Sequence, residues 1–403
     1  MLPPACNKHL RASIKAWPRA FTLVELLISM ALLVIILGIV IRMTELTSRI
    51  WQSSTARIQM FQEARAGFES MTRKLSQATL NTYYDYYGTY PGMPTTTGTL
   101  IARCQVTGTA ALANFVPVTY DRYSELHFVS GQAATLLGTV LSGSTQTQAV
   151  FFQAPLGYSV NYQQIDNALN ACGYFLQFGT ATDAVPPHVL LSPSYKTRYR
   201  FRLMEMTQPS ENLAIYSGTT TATANNWFVQ NAASNSRVIA ENVIALVLLP
   251  KLPDSQDDPN GAGQGVSLAP YYNYNSRVPL DATSDPWWPS FPGDSFFAYP
   301  MATETATQGT RHAQMPPLMH LVMIAIDETS AARIQGNLTA VPPGINLNTT
   351  TLFTNAANLA QDIQSVQNIC NAQAGNLTKN TVRLNYRVFT SDLIMRGAKW
   401  SNN

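Results

Sequence analysis

Residues Phe21 to Ile41 read FTLVELLISMALLVIILGIVI, a 21-residue apolar run broken only by Glu25 and a few small polar side chains. As a helix it spans about 31 Å, close to the roughly 30 Å of a bilayer's hydrocarbon core. A removable secretory signal has a shorter apolar region, about 7–15 residues, and ends in small residues at a cleavage site. Here the run ends in Gly-Ile-Val-Ile-Arg and offers no such site. The segment reads as an anchor, so whatever follows must fold beside a membrane.

Charge bears on the orientation. The stretch from Met1 to Ala20 carries Lys8, Arg11, Lys15 and Arg19 without an acid, against Arg42, Arg49 and Arg57 in the stretch just beyond the span. That bias favours a cytoplasmic N-terminus. Without that leader, 22 basic side chains face 23 acidic ones, a net charge of −1. The overall +3 thus belongs to the leader, and nothing resembles the basic footprint of a nucleic-acid-binding protein. Charged residues make up only 12% of the chain, about half the roughly 25% of an ordinary soluble domain. Asn, Gln, Ser and Thr take their place, as suits an exported surface. Cys6 lies in the leader, which leaves Cys104, Cys172 and Cys370 as candidates for one disulfide; none forms a CxxC.

An acid inside a membrane span costs roughly 2.5–3.5 kcal/mol at the helix centre and less near an end. Such a residue either snorkels to the headgroups or has a partner. The string Arg19-Ala20-Phe21-Thr22-Leu23-Val24-Glu25-Leu26-Leu27 closely resembles the class A prepilin signal of type IV pilins and secretion pseudopilins. The resemblance implies that a prepilin peptidase cuts between Ala20 and Phe21 and methylates the new Phe21 amine. It also implies that Glu25 attracts the N-terminus of a neighbouring subunit during assembly. A cationic α-amino group and a carboxylate attract strongly in a low dielectric, and pairing relieves the burial penalty of both. Ala20 departs from the family's usual Gly before the cut.

Beyond Arg42 the helix continues. Phe61, Ala64, Phe68, Met71, Leu75 and Ala78 recur at alternating steps of three and four, with Arg57, Glu63, Arg65, Glu69, Arg73 and Lys74 mostly off that stripe. The spacing predicts one helix over about 22–80, its outer half docked on a globular domain. Tyr83, Tyr84, Tyr86, Tyr87 and Tyr90 then lead into Pro91-Gly92, and aromatic packing at the junction of helix and domain is the reading favoured over a ligand-stacking platform.

From about residue 100 the pattern is that of strands: 123–129, 147–154, 173–179, 195–206, 237–249, 318–327 and 381–395. In the fourth, Tyr195, Tyr199, Phe201 and Leu203 alternate with Lys196, Arg198, Arg200 and Arg202, and the row of cations is expected to be a solvated strand face. The stretch 237–249 reads as a central strand or a short helix feeding one. Two insertions interrupt the order. One, at about 250–317, is rich in Pro and aromatics and is a candidate partner-contact surface. The other, at 335–380, holds a helix through Leu359, Ile363, Val366 and Cys370. The fold class expected is α+β, a long N-terminal helix packed on an antiparallel β-rich domain. Its parts are a leader (1–20), a transmembrane segment (21–41), an amphipathic continuation (42–80) and an extracytoplasmic domain (81–403).

No motif carries catalytic chemistry. His9, His127, His188, His312 and His320 are isolated, and no GxSxG elbow, P-loop or dinucleotide fingerprint occurs. His320 reads as a structural histidine in an apolar strand. Asp254, Asp257, Asp258 and Asn260 approach a calcium loop, but Gln256 and Ser267 occupy its two anchoring positions, so a solvated acidic turn is preferred and no metal or cofactor is expected. The later segments RYRFRLMEM, AENVIALVLLP, MPPLMHLVMIAIDE and NYRVFTSDLIMRGAKW resemble the larger minor pseudopilins, including the J subunit of type II secretion, and the prepilin-like cassette protein C set of verrucomicrobial genomes.

The expectation is a non-enzymatic minor pilin or pseudopilin in the bacterial inner membrane, its C-terminal domain periplasmic. Its partners would be prepilin peptidase, other pilin subunits and, in some roles, exported cargo. The alternatives are a membrane-tethered periplasmic binding protein or enzyme, and a pilus-tip adhesin binding through the first insertion.

Overall fold

In the computed structural model of the chain, the described residues are 22–91, 101–103, 106, 108–138, 140–141, 144–163, 165–182, 185–216, 226–251, 272–276, 313–335, 338–349, 352–353, 356–372 and 384–398. They fall into two compact units, 1–56 and 57–403. Helix α1 runs Leu23–Leu75. Its residues up to 56 are the described part of the first unit, where the large apolar side chains from Leu23 to Trp51 are exposed. The predicted helix is present but ends five residues early. The last turn tightens, with Gln77 N–H donating to Lys74 C=O and Ala78 N–H to Leu75 C=O. Thr79 N–H then donates to Gln153 C=O, which draws the chain off the helix onto a strand.

The second unit begins with the docked turns of α1. Ala64, Phe68, Met71, Leu75 and Ala78 are all buried, as their spacing predicts. There follow β1 (Tyr83–Thr89), β2 (Ile101–Ala102), α2 (Thr109–Ala113) and β3 (Val116–Tyr123). Next come β4 (Val129–Gln132), α3 (Ala133–Leu137), β5 (Ser144–Pro155), β6 (Leu169–Thr180), α4 (Pro187–Leu190) and β7 (Tyr199–Gln208). Then α5 (Asn226–Ala232), β8 (Ser236–Glu241), β9 (Val243–Lys251) and β10 (Tyr274–Asn275) precede β11 (Leu318–Ile326), α6 (Glu328–Gln335), α7 (Leu359–Ala372) and β12 (Tyr386–Ile394). The strands form three antiparallel sheets, ordered β2-β1-β3, β10-β4-β5-β6-β7-β8 and β12-β11-β9. The fold is α+β and pilin-like: a long apolar N-terminal helix followed by a domain of antiparallel sheets and helices.

The two larger sheets each present alternate residues to a shared core. Val150, Phe152, Cys172, Tyr174, Leu176 and Leu203 of the six-stranded sheet meet Leu246, Leu248, Met319, Leu321 and Met323 of the three-stranded one, together with the α1 stripe. The outer face of the six-stranded sheet is covered by α3 and α5, with Trp227 and Phe228 against Phe151. The outer face of the three-stranded sheet is covered by α6 and α7. At Gly67 a Cβ would lie 3.2 Å from that of Ala240, so the missing side chain lets α1 come close to β8.

Two devices join the larger sheets. The predicted strand 237–249 divides at Asn242, whose φ of 59° is left-handed, and the chain passes there from one sheet into the other. Asn tolerates this conformation better than most residues because its short side chain bonds locally. Here Asn242 Nδ2 donates to Glu328. The second device is a break in β5 at Thr147, with φ 51°, which shifts the register against β6 between Gln146 and Val150. The break aims Thr147 Oγ1 and Gln148 Oε1 at strand β9, where they accept from the N–H groups of Leu246 and Leu248. Backbone donors on the side of β9 away from β11 are thus satisfied by side chains of another sheet.

Three expectations are corrected. Residues 124–128 are not a strand: they connect β3 to β4, and their backbone bonds go to side chains. Asn81 Oδ1 accepts from Glu125 and Leu126 N–H, Gln153 Oε1 from His127 N–H and Ser276 Oγ from Phe128 N–H. Of the tyrosines after α1, Tyr83, Tyr84, Tyr86 and Tyr87 lie in β1, where Tyr84 and Tyr86 are exposed and do not pack the junction. The cationic row is not a solvated face. Lys196 and Arg198 are exposed ahead of β7, whereas Arg200 and Arg202 are 5% and 6% exposed. Arg200 pairs bidentately with Glu328 and donates to Gln335, and Arg202 donates to Gln177. At Arg200 the planar guanidinium tolerates burial because Nε and both terminal nitrogens meet acceptors.

Candidate functional site

The N-terminus of α1 is closed by its own side chains. Thr22 precedes the first helical residue, and Glu25 is the third residue inside. The Thr22 N–H and hydroxyl both donate to Glu25 Oε2 at 3.0 Å, and the Glu25 N–H donates back to Thr22 Oγ1 at 3.3 Å. This reciprocal pair is a capping box, which satisfies donors that a helix start otherwise leaves open. The Thr-x-x-Glu spacing that signals it is plain in the sequence, though Thr22 escapes a reading centred on Glu25. Ala20 and Phe21 lie outside the described residues. From Leu23 to Gln52 the helix is long and apolar enough to cross a membrane.

At the other end of α1, within the second unit, lies a buried ionic cluster. Glu205 of β7 is almost fully buried. Its Oε1 accepts from Lys74 Nζ and from the Tyr174 hydroxyl, both at 2.6 Å. Its Oε2 accepts from Arg237 Nη2 at 2.6 Å and Nε at 2.9 Å. Burial alone would raise the pKa of this carboxyl, but the bonds from Lys74, Tyr174 and Arg237 outweigh it and hold the group below its ordinary value. Lys74 sits in the last turn of α1, so the cluster ties the docked end of the helix to the six-stranded sheet. Sequence spacing gives no sign of it, because its other members lie 31 to 131 positions from Glu205.

The remaining candidates are quiet chemically. Cys172 and Cys370 are buried free thiols in different cores, not joined to each other, and Cys104 lies outside the described residues. Burial pushes both thiols up to about 12, far from a reactive thiolate. His127 is buried with both ring nitrogens engaged, Nδ1 by Trp227 Nε1–H and Nε2 by Asn275 Oδ1. His320 bonds Asp392 across the β11–β12 pair, so it is a partnered histidine. Among the described residues, no group of three or more His, Cys, Asp or Glu is placed to hold a metal ion. The acidic turn at 254–261 and nearly all of the first insertion, apart from Tyr272–Ser276 and its two ends, lie outside those residues.

Residues 18–41 match the prokaryotic N-terminal methylation motif. The match indicates a type IV prepilin-like protein. It falls on the stretch that holds the capped start of α1 and most of its apolar length, and the two together fit a membrane-anchored protein. No curated protein and no solved structure matches the chain. Pilin-like proteins bearing this motif are structural subunits.

Proposed function

We propose that the chain is a non-enzymatic minor subunit of a type II secretion pseudopilus or a type IV pilus-like filament. Prepilin peptidase removes residues 1–20 between Ala20 and Phe21 and methylates Phe21. Residues 21–41 then anchor the subunit in the inner membrane with the N-terminus on the cytoplasmic side. Residues 42–80 continue the helix, and 81–403 form the periplasmic domain. The subunit enters the filament through α1, with Glu25 pairing the N-terminal amine of a neighbouring pilin, and its length sets it with the minor, J-like subunits.

The observation that carries this reading is the methylation motif on an apolar helix start with an acid as its third residue. In a mere tether that acid would do no more than cap the helix start, whereas in a filament it would also pair the amine of a neighbouring subunit. Replacing Glu25 by Ala in the native host separates the two roles. Incorporation into sheared filaments should fall at least ten-fold while the protein stays in the membrane. Unchanged incorporation, or no filament association in the parent, would sink the proposal.

A further inference from the structure

Two features flank the buried stripe of α1, and both address strand β8. Gly67 and Lys74 are seven residues apart, so they lie on one face of the helix, within about 20° of each other. At Gly67 a Cβ would come within 3.3 Å of the Ile239 carbonyl oxygen as well as 3.2 Å of the Ala240 Cβ, which makes the position a notch that only glycine fits freely. At Lys74 the ammonium reaches Glu205 Oε1, beside the bond from Arg237 to Oε2. A bulge in β8 serves both. Arg237 stands opposite Glu205 and Ala240 opposite Leu203, with the register shifting between Leu203 and Met204. Ile239 is the extra residue, so Arg237 and Ala240, three positions apart, share one face of the strand instead of opposing ones.

A buried ion pair contributes little net stability, and its best-attested use is to fix a register. The stripe leaves the register of α1 open, because apolar contact is non-directional. A shift of α1 by one heptad toward its own N-terminus carries Met71, Leu75 and Ala78 into the places of Ala64, Phe68 and Met71, with an apolar stripe still facing the core. The same shift drives Lys74 into the glycine notch. It also carries the ammonium about 10 Å along the helix axis, away from Glu205, which is 1% exposed and has no water to turn to. We infer that Gly67, Lys74 and Glu205 form a register key, selecting one axial position of α1 on the domain among those the apolar stripe accepts. The selected position sets how many residues of the helix stay outside the domain. The inference does not depend on the filament reading.

Spin labels on the full-length, detergent-solubilised protein read this register. They are attached at Glu69→Cys in α1 and Val160→Cys in the domain, both exposed positions, in a background of Cys6→Ser and Cys104→Ser. The labelled protein is diluted with unlabelled protein so that only distances within one chain are seen. Double electron–electron resonance should give one narrow distance in the parent and in Lys74→Arg, which keeps the cation. Lys74→Gly removes the cation and offers the notch a second glycine, so it should add a second distance several ångströms from the first. Should that variant not fold, Glu205→Gln, which keeps the size of the acid without its charge, is measured in its place and should broaden the distribution. The parent's single distance in the variant measured, even with a lowered thermal transition, would make the cluster a stabiliser only and overturn the inference. A second distance in Lys74→Arg would overturn it too.

Discussion

Glu25 and Glu205 solve one physical problem in different surroundings. The exposed Glu25 takes its donors from Thr22, three residues away, whereas the buried Glu205 takes them from α1 and from distant strands. Removing the Glu205 carboxylate leaves Lys74 and the buried Tyr174 hydroxyl without their acceptor. Glu205→Ala should therefore cost about 3 kcal/mol of stability, the order seen when one member of a buried pair is lost. Urea titration of the detergent-solubilised protein measures it, and Arg237→Ala should cost clearly less because that side chain is mostly exposed.

Acid dependence has two signs in this domain. Glu205 and Glu328 have depressed pKa values, so their contribution is present above the ordinary value of 4.5 and is lost as pH falls through the depressed values. Glu241 is the reverse. Burial, and then the nearby Glu328, raise its pKa, so its contribution is present below 4.5 and is lost as pH rises through the raised value. Glu241→Gln should stabilise the domain at pH 7.5 and lose that advantage near pH 4, a crossover that melting curves at the two pH values would reveal.

At the scale of elements, a helical repeat made α1 and α7 legible, and apolar or alternating runs bounded by turn residues made β5, β6, β7, β11 and β12 legible. The acid among the apolar residues after Phe21 was equally plain. What could not be read were features settled by distant partners. Arg200 and Arg202 look like a solvated row until Glu328, Gln335 and Gln177 meet them. The run RVIAENVIALVLL looks continuous until Asn242 turns it from one sheet into the next. Residues 124–128 have the composition of a strand but bond to the side chains of Asn81, Gln153 and Ser276. The corner at Asn242 gives a sharp prediction. Asn242→Ala should cost about 2 kcal/mol, from the left-handed conformation and the lost bond to Glu328, whereas Asn242→Gly should cost less because glycine accepts that conformation. Equal losses in unfolding experiments would mean that backbone conformation is not what Asn242 supplies.

For the whole molecule, the N-terminal helix and the domain divide the work. The methylation motif and the apolar length of α1 fit a membrane anchor, while the sheets fix the last turns of α1 through an apolar stripe and one ion cluster. The most direct test is intact-mass and N-terminal peptide analysis of the protein extracted from the membranes of its native host. The account predicts a mature chain that begins at N-methylated Phe21. A chain still beginning at Met1, or cut beyond Ile41, would contradict it and make the helix a plain anchor or a discarded signal.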